Sequence, residues 1–150
     1  MLLVVRLEFK VVKPMPSVLP ENLRLLVIDD EEEVREGTQL VLESRGCIVT
    51  TVAGTETEQL LSTIKQFEPD VIVSDYRLYD GENGLDAIRA VRQVTGRDVP
   101  ALLITGDTAI DFAPCGEMVR IEVLYKPVDI SQLFEKIAFL AERSAGDIEH

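Results

Sequence analysis

From residue 23 onward, short apolar runs alternate with stretches whose apolar residues recur at helical spacing. The strand-like runs are residues 25–28, 47–53, 71–74, 101–104 and 122–125. Helical spacing occupies residues 31–44, 55–67 and 85–94, and a last helix is predicted after Asp129, with Leu133, Ile137 and Leu140 on one face. In the first helix Val34, Leu40 and Val41, with Gly37, are expected to form the inward stripe, and Gly46 to end it. Asp129 is a good N-cap, and Pro127 explains why the last helix does not begin earlier. The stretch "GDTAIDFAPCGEMV" holds Pro114 and Gly116, so the fourth helix should be short or irregular. Strict alternation of strands and crossovers implies an α/β fold, a parallel sheet with helices on both faces. Strands that are apolar throughout, rather than on every second residue, fit burial on both sides.

The first 22 residues read differently. Leu3, Val5, Leu7, Phe9 and Val11 alternate with a more polar set, as in a strand, and Pro14, Pro16 and Pro20 then make an extended linker. The expected organisation is an N-terminal extension over residues 1–22, a main domain over 23–143 and a tail over 144–150. The apolar run at residues 1–5 is too short for a signal peptide and is followed by Arg6, Glu8 and Lys10. No segment approaches the ~18 continuous apolar residues of a membrane span, so a soluble, cytoplasmic protein is expected.

Composition narrows the chemistry. The 150 residues include 27 acids and 15 bases, for a formal charge of -12, which disfavours nucleic-acid phosphates and anionic lipid as direct partners. Cys47 and Cys115 stand in no metal-like spacing and read as reduced, apolar filler. His150 is the only histidine and the last residue, which argues against histidine metal sites and Ser/His or Cys/His catalysis.

In open α/β sheets, ligands bind beyond the carboxyl ends of the strands. The first strand, in "LLVIDDEEEV", ends in Asp29 and Asp30; the third, in "VIVSDYRL", ends in Asp75. The fourth ends in Thr105 and Gly106, and the fifth in Lys126 and Pro127. Three carboxylates, a hydroxyl and an ammonium therefore converge on one rim. Two carboxylates ~4 Å apart repel by about 4 kcal/mol at an effective dielectric of 20. A hard divalent cation relieves this, and an all-oxygen, carboxylate-plus-water site suits Mg²⁺. Beside a lysine, such a cluster is a place for a phosphoryl group, with a carboxylate able to act as nucleophile and form an aspartyl-phosphate. Taken singly, an acidic pair after a strand is also a solvated helix start favoured by the helix dipole, and Glu31, Glu32 and Glu33 are assigned no chemistry. The weight lies in the four strand-end signals occurring together in order.

These residues resemble the receiver domain of bacterial two-component response regulators, over roughly residues 23–143. The resemblance rests on the acidic pair, the acceptor in "VSDYRL", Gly84 in "DGENGLDAI", the hydroxyl of "ITGD" and "KPVD". The intervals from Asp75 to Thr105, 30 residues, and from Thr105 to Lys126, 21 residues, suit it. The wording is most similar to receivers of hybrid sensor histidine kinases. The resemblance implies a flavodoxin-like, doubly wound five-stranded parallel sheet in the order 2-1-3-4-5. It implies that Asp75 is the phosphoacceptor, that Asp30 binds Mg²⁺ directly with Asp29 acting through water, and that the backbone carbonyl of Arg77 completes the protein ligands. Lys126 would pair with the phosphoryl oxygens, Thr105 would move in to hydrogen-bond them, and Gly106 would keep that approach uncrowded. Arg77 and Asp107, each two residues past a site residue, are expected to pair over the site and restrict attacking water. The position three before Lys126, where such receivers often carry an aromatic switch residue, holds Val123; Tyr125 is expected to point the other way.

The function expected is that of a phosphorylation-controlled switch. Phosphate would come from the phosphohistidine of a sensor histidine kinase or histidine phosphotransfer protein, or from a small phosphodonor. With only "SAGDIEH" after the last helix, the expected output is a protein–protein contact, and a homodimer is compatible with it. The chain is expected to catalyse its own phosphotransfer rather than to act as a classical enzyme. The alternatives are a receiver-shaped binding module independent of phosphate, and a Mg²⁺ phosphatase of the haloacid-dehalogenase type. The latter lacks a second acid two residues past Asp75, where Arg77 stands.

Overall fold

A computed structural model of the chain describes residues 19–54, 58–110 and 119–148. The strand-like stretch before residue 13, Pro14, Pro16, Pro114, Cys115, Gly116 and His150 lie outside the described residues, and so does most of the region expected to hold a short or irregular fourth helix.

The described elements are β1 (Arg24–Ile28), α1 (Glu32–Glu43), β2 (Ile48–Val52), α2 (Glu58–Phe67), β3 (Val71–Asp75), a 3-10 turn (Tyr79–Gly81), α3 (Gly84–Thr95), β4 (Ala101–Thr105), β5 (Ile121–Tyr125) and α4 (Ile130–Ile148). The five strands are all parallel, in the order β2-β1-β3-β4-β5. This is the flavodoxin-like doubly wound sheet that the alternating pattern and the resemblance implied.

Consecutive residues of one strand enter different cores, which is why β1, β3 and β4 carry apolar residues at successive positions. Leu25, Val27 and Val73 pack with Phe134, Ile137 and Leu140 under α1 and α4. Leu26, Ile28 and Ile72 pack with Ile64, Ile88 and Val91 under α2 and α3. Each fully buried Leu, Ile or Phe stabilises by about 1.5–3 kcal/mol relative to exposure. Leu19, expected in the extension, is buried in the same cluster as Leu23 and Cys47. Cys47 forms no disulfide, and burial pushes its thiol up from the ordinary range.

The stripe expected on α1 is corrected. Val34 is 46% and Leu40 69% exposed, whereas Leu42 is fully buried and Val41 packs partly against the core. At 100° per residue Leu40 lies almost opposite Leu42, so the two cannot share an inward face. The line that turns inward runs through Arg35, Thr38 and Leu42.

Local signals set the helix ends. The Asn83 side chain accepts from the Asp86 N–H at 2.9 Å, and the Asp86 carboxylate accepts from the Asn83 N–H at 3.4 Å, a capping box that starts α3. Gly96, at φ 70°, closes it in the left-handed conformation that glycine adopts without strain. Asp129 caps α4 as expected, its Oδ1 accepting from the Gln132 N–H at 3.1 Å.

Candidate functional site

Asp29, just past β1, is buried. Its N–H donates to the Val52 carbonyl at 3.1 Å, its Oδ1 accepts from the Glu31 N–H at 2.9 Å, and its own carbonyl accepts from Arg35 Nη1 at 2.7 Å. The carboxyl is therefore fixed in place at the interior's edge. Burial above all raises its pKa above the ordinary 3.8; the Glu31 N–H opposes this, the charges of Asp75 and Asp30 add to it, and Lys126 opposes it.

Asp75 ends β3, the strand between β1 and β4. One carboxylate oxygen from each of Asp29, Asp30 and Asp75 lies within 4.8 Å of the others. Lys126 Nζ sits 2.9 Å from Asp75 Oδ1, and the Lys126 N–H donates to the Thr105 carbonyl at 2.9 Å, which ties the start of the loop after β5 to the end of β4. Burial alone would lower the Lys126 pKa, but the hydrogen bond and charge of Asp75, with Asp29 and Glu31, outweigh it and hold the ammonium above its ordinary value. Even so, a single ammonium faces three clustered acids. A hard divalent cation with oxygen ligands matches this donor set and its excess negative charge.

Thr105 is 2% exposed, and its Oγ1 accepts from the Asp107 N–H at 3.1 Å. Arg77 Nη2 is 2.8 Å from Asp107 Oδ2, so the expected pair is formed. A methyl added at Gly106 would meet Lys126 Cδ at 3.8 Å, an ordinary contact, so spatial crowding does not require glycine there. Gly84 is different: a Cβ there would lie 2.5 Å from the Asp75 carbonyl oxygen and 2.5 Å from Leu103 Cδ1. The start of α3 thus presses directly on the backbone that carries Asp75, with the Gly84 N–H donating to the Tyr76 carbonyl at 2.6 Å.

Val123 packs with the α2–α3 side of the core. Tyr125 is 42% exposed and, by the two-residue period of a strand, shares the side of Val123 rather than pointing away from it. It pairs in register with Thr105.

Two features of the site escaped the sequence. Arg35 anchors the Asp29 backbone; a lone base inside "EEEVRE" was its only signal. An apolar groove of about 370 Å³ opens between α1 and the start of α4. Val34, Val41, Val128 and Ile130 line it, and it reaches Asp75 and Lys126. The apolar residues it exposes, Val34, Val128 and Ile130, were a signal only once α1 and α4 were known to be neighbours.

A doubly wound parallel sheet with an acidic triad and a lysine at its carboxyl edge defines a class of signalling module, and comparison with known proteins specifies it. Residues 25–138 match the family described as response regulator receiver domain. The chain belongs to that family. It is 32% identical over 124 residues to the sensory/regulatory protein RpfC of Xanthomonas campestris pv. campestris, covering 80% of this chain and 17% of that protein. It is 29% identical over 136 residues to the DNA-binding response regulator MtrA of Mycolicibacterium smegmatis, covering 84% of this chain and 58% of that protein. The chain thus spans about a sixth of the one and little over half of the other. Among solved structures, a response regulator receiver domain protein from Clostridium thermocellum superposes with a TM-score of 0.68 at 25% identity, over 81% of this chain and 96% of that one. The chain is a receiver domain of two-component signalling, and the phosphatase alternative is not favoured. No described helix is long and apolar enough to cross a membrane.

Proposed function

We propose that Asp75 accepts a phosphoryl group and that its modification switches protein–protein contacts. The observation that carries this reading is the Asp75 carboxylate held 2.9 Å from Lys126 inside a three-acid cluster. Asp29, Asp30 and Asp75, with the backbone carbonyl of Arg77, would hold Mg²⁺, which when bound neutralises oxygens of the incoming group. An Asp75 oxygen attacks phosphorus, the bond from phosphorus to the donor's imidazole nitrogen breaks, and the imidazole leaves with that electron pair. Lys126 holds a phosphoryl oxygen. The Thr105 hydroxyl, which now accepts from the Asp107 N–H, donates its proton to another. Arg77, Gly106 and Asp107 set how water reaches the product.

The donor is a sensor histidine kinase or a histidine phosphotransfer protein. Its docking is supported by the apolar groove that leads to Asp75 between α1 and the start of α4. The resemblance of its motifs to receivers of hybrid sensor histidine kinases supports a place in such a kinase, within the cytoplasm.

Acetyl phosphate, offered with and without Mg²⁺ and followed by intact mass, tests the reading. A Mg²⁺-dependent gain of one phosphoryl group, absent in Asp75→Asn, is expected. No gain from acetyl phosphate, and none from a phosphorylated kinase, leaves the phosphate-independent binding module.

A further inference from the structure

We infer that Arg35 is a positioning residue for the metal site and makes it select a small divalent cation over a larger one. This rests on Asp29, Asp30 and Asp75 being the ligand set proposed above. The turn at residues 29–31 carries two of those three acids, and the helix it enters does little to fix it. The N-cap of α1 is Glu31, whose side chain makes no capping hydrogen bond. Ser, Thr, Asp or Asn is the usual residue at such a start. The turn is secured in other ways. The Asp29 N–H donates to the Val52 carbonyl at 3.1 Å, the Glu31 N–H to Asp29 Oδ1 at 2.9 Å, and Arg35 Nη1 to the Asp29 carbonyl at 2.7 Å.

Arg35 reaches that carbonyl because side chains on a helix lean toward its N-terminus. It stands one turn into α1, its N–H donating to the Glu31 carbonyl at 2.9 Å, and its half-buried side chain lies back over the first turn. Charge alone would not favour an arginine here. Near a helix N-terminus a cation opposes the helix dipole, and beside a metal site it repels the ion. Although Glu32, Glu33 and Glu36 are close in the chain, the guanidinium donates to a main-chain carbonyl. Such a charge-assisted bond is strong and directional, and it pins the residue whose carboxylate meets Asp30 and Asp75.

Rigidity in this turn selects the ion. Mg²⁺ demands near-ideal octahedral geometry at short distances, whereas Ca²⁺ accepts longer bonds and irregular shells. Carboxylates that cannot drift apart favour the smaller ion, so loosening the turn costs Mg²⁺ more than Ca²⁺.

Isothermal titration of the full chain with Mg²⁺ and, separately, with Ca²⁺ tests this on the wild type, Arg35→Gln and Arg35→Lys. Thermal unfolding in EDTA reads the fold of each. Arg35→Gln removes both the charge and the reach, while Arg35→Lys keeps the charge but loses the planar fork. Arg35→Gln is expected to weaken Mg²⁺ by about tenfold and Ca²⁺ by about threefold or less, with Arg35→Lys in between. Tighter Mg²⁺ binding in Arg35→Gln, the sign that charge alone predicts, overturns the inference. Equal losses for the two ions overturn it as well. So do unchanged affinities with a lowered Tm, which would leave Arg35 a tie within the fold. Should Arg35→Gln be unfolded in EDTA, Arg35→Lys gives the reading: a falling preference for Mg²⁺ supports the inference and a constant one overturns it. A wild type that binds neither ion overturns the ligand set itself.

Discussion

Lys126 Nζ lies 2.9 Å from Asp75 Oδ1, and the two residues stand at the ends of strands that are not neighbours, Lys126 just past β5 and Asp75 in β3, with β4 between them. The contact spans the strand that ends in Thr105, so the three side chains share one edge of the sheet. The ammonium partly does the work a cation would do for the acids, and the two must compete.

Lys126→Met should therefore bind Mg²⁺ more tightly than the wild type, by about three- to tenfold once solvent screening is allowed for. Isothermal titration at low salt reads this directly. An affinity that is unchanged or weaker would mean that the ammonium does not oppose the metal.

The raised pKa of Asp29 sets a pH dependence whose sign can be worked out. Well below the ordinary value of 3.8 both folded and unfolded states are protonated. Above it the folded state keeps its proton longer, so stability falls as pH rises from 3.8 through the folded value and is then level. In EDTA, Asp29→Asn should raise Tm at pH 7 by about 2–4 °C and gain little near pH 3. Added Mg²⁺ should stabilise the wild type more than the variant. A Tm at pH 7 that drops on substitution would contradict the burial cost assigned to this carboxylate.

Gly84→Ala places a methyl against the Asp75 carbonyl oxygen, which is backbone and cannot rotate aside. Overpacking of this kind costs about 1–3 kcal/mol, and urea unfolding should show it. Phosphoryl uptake from acetyl phosphate should slow as well, because the displaced backbone carries Asp75. Normal stability in this variant would show that α3 does not press on β3.

The face that α1 turns inward can be tested with neighbouring leucines. Leu42→Ala should cost about 2–5 kcal/mol, as burial at a packed site requires. Leu40→Ala should stay within about 0.5 kcal/mol, as at an exposed site. Equal losses in chemical denaturation would restore the stripe through Leu40.

Much of the protein was legible because its signals are local. Runs such as "LLVI" in β1 and "VIV" in β3 are apolar at consecutive positions, as a sheet covered on both faces requires, and the alternation with helical spacing then makes the sheet parallel. The residues at the strand ends were legible for the same reason: a parallel sheet sends the carboxyl end of every strand to one edge. Asp29, Asp30, Asp75, Thr105 and Lys126 follow from strand position alone. Gly84 was visible as part of a motif, but its reason, contact with the Asp75 backbone, belongs to the packing of α3 on β3.

What tertiary structure decided is what depends on rotation and on distance between elements. The amphipathic pattern of α1 allowed several faces, and the choice of Leu42 over Leu40 was made by the sheet beneath it. The groove between α1 and α4, the hold of Arg35 on Asp29 and the length of the Arg77–Asp107 bridge have no periodicity to announce them. A sequence of amino acids determines which elements form and which ends meet, since those depend on neighbours along the chain. Which side chains touch depends on how the elements turn against one another to fill a common core.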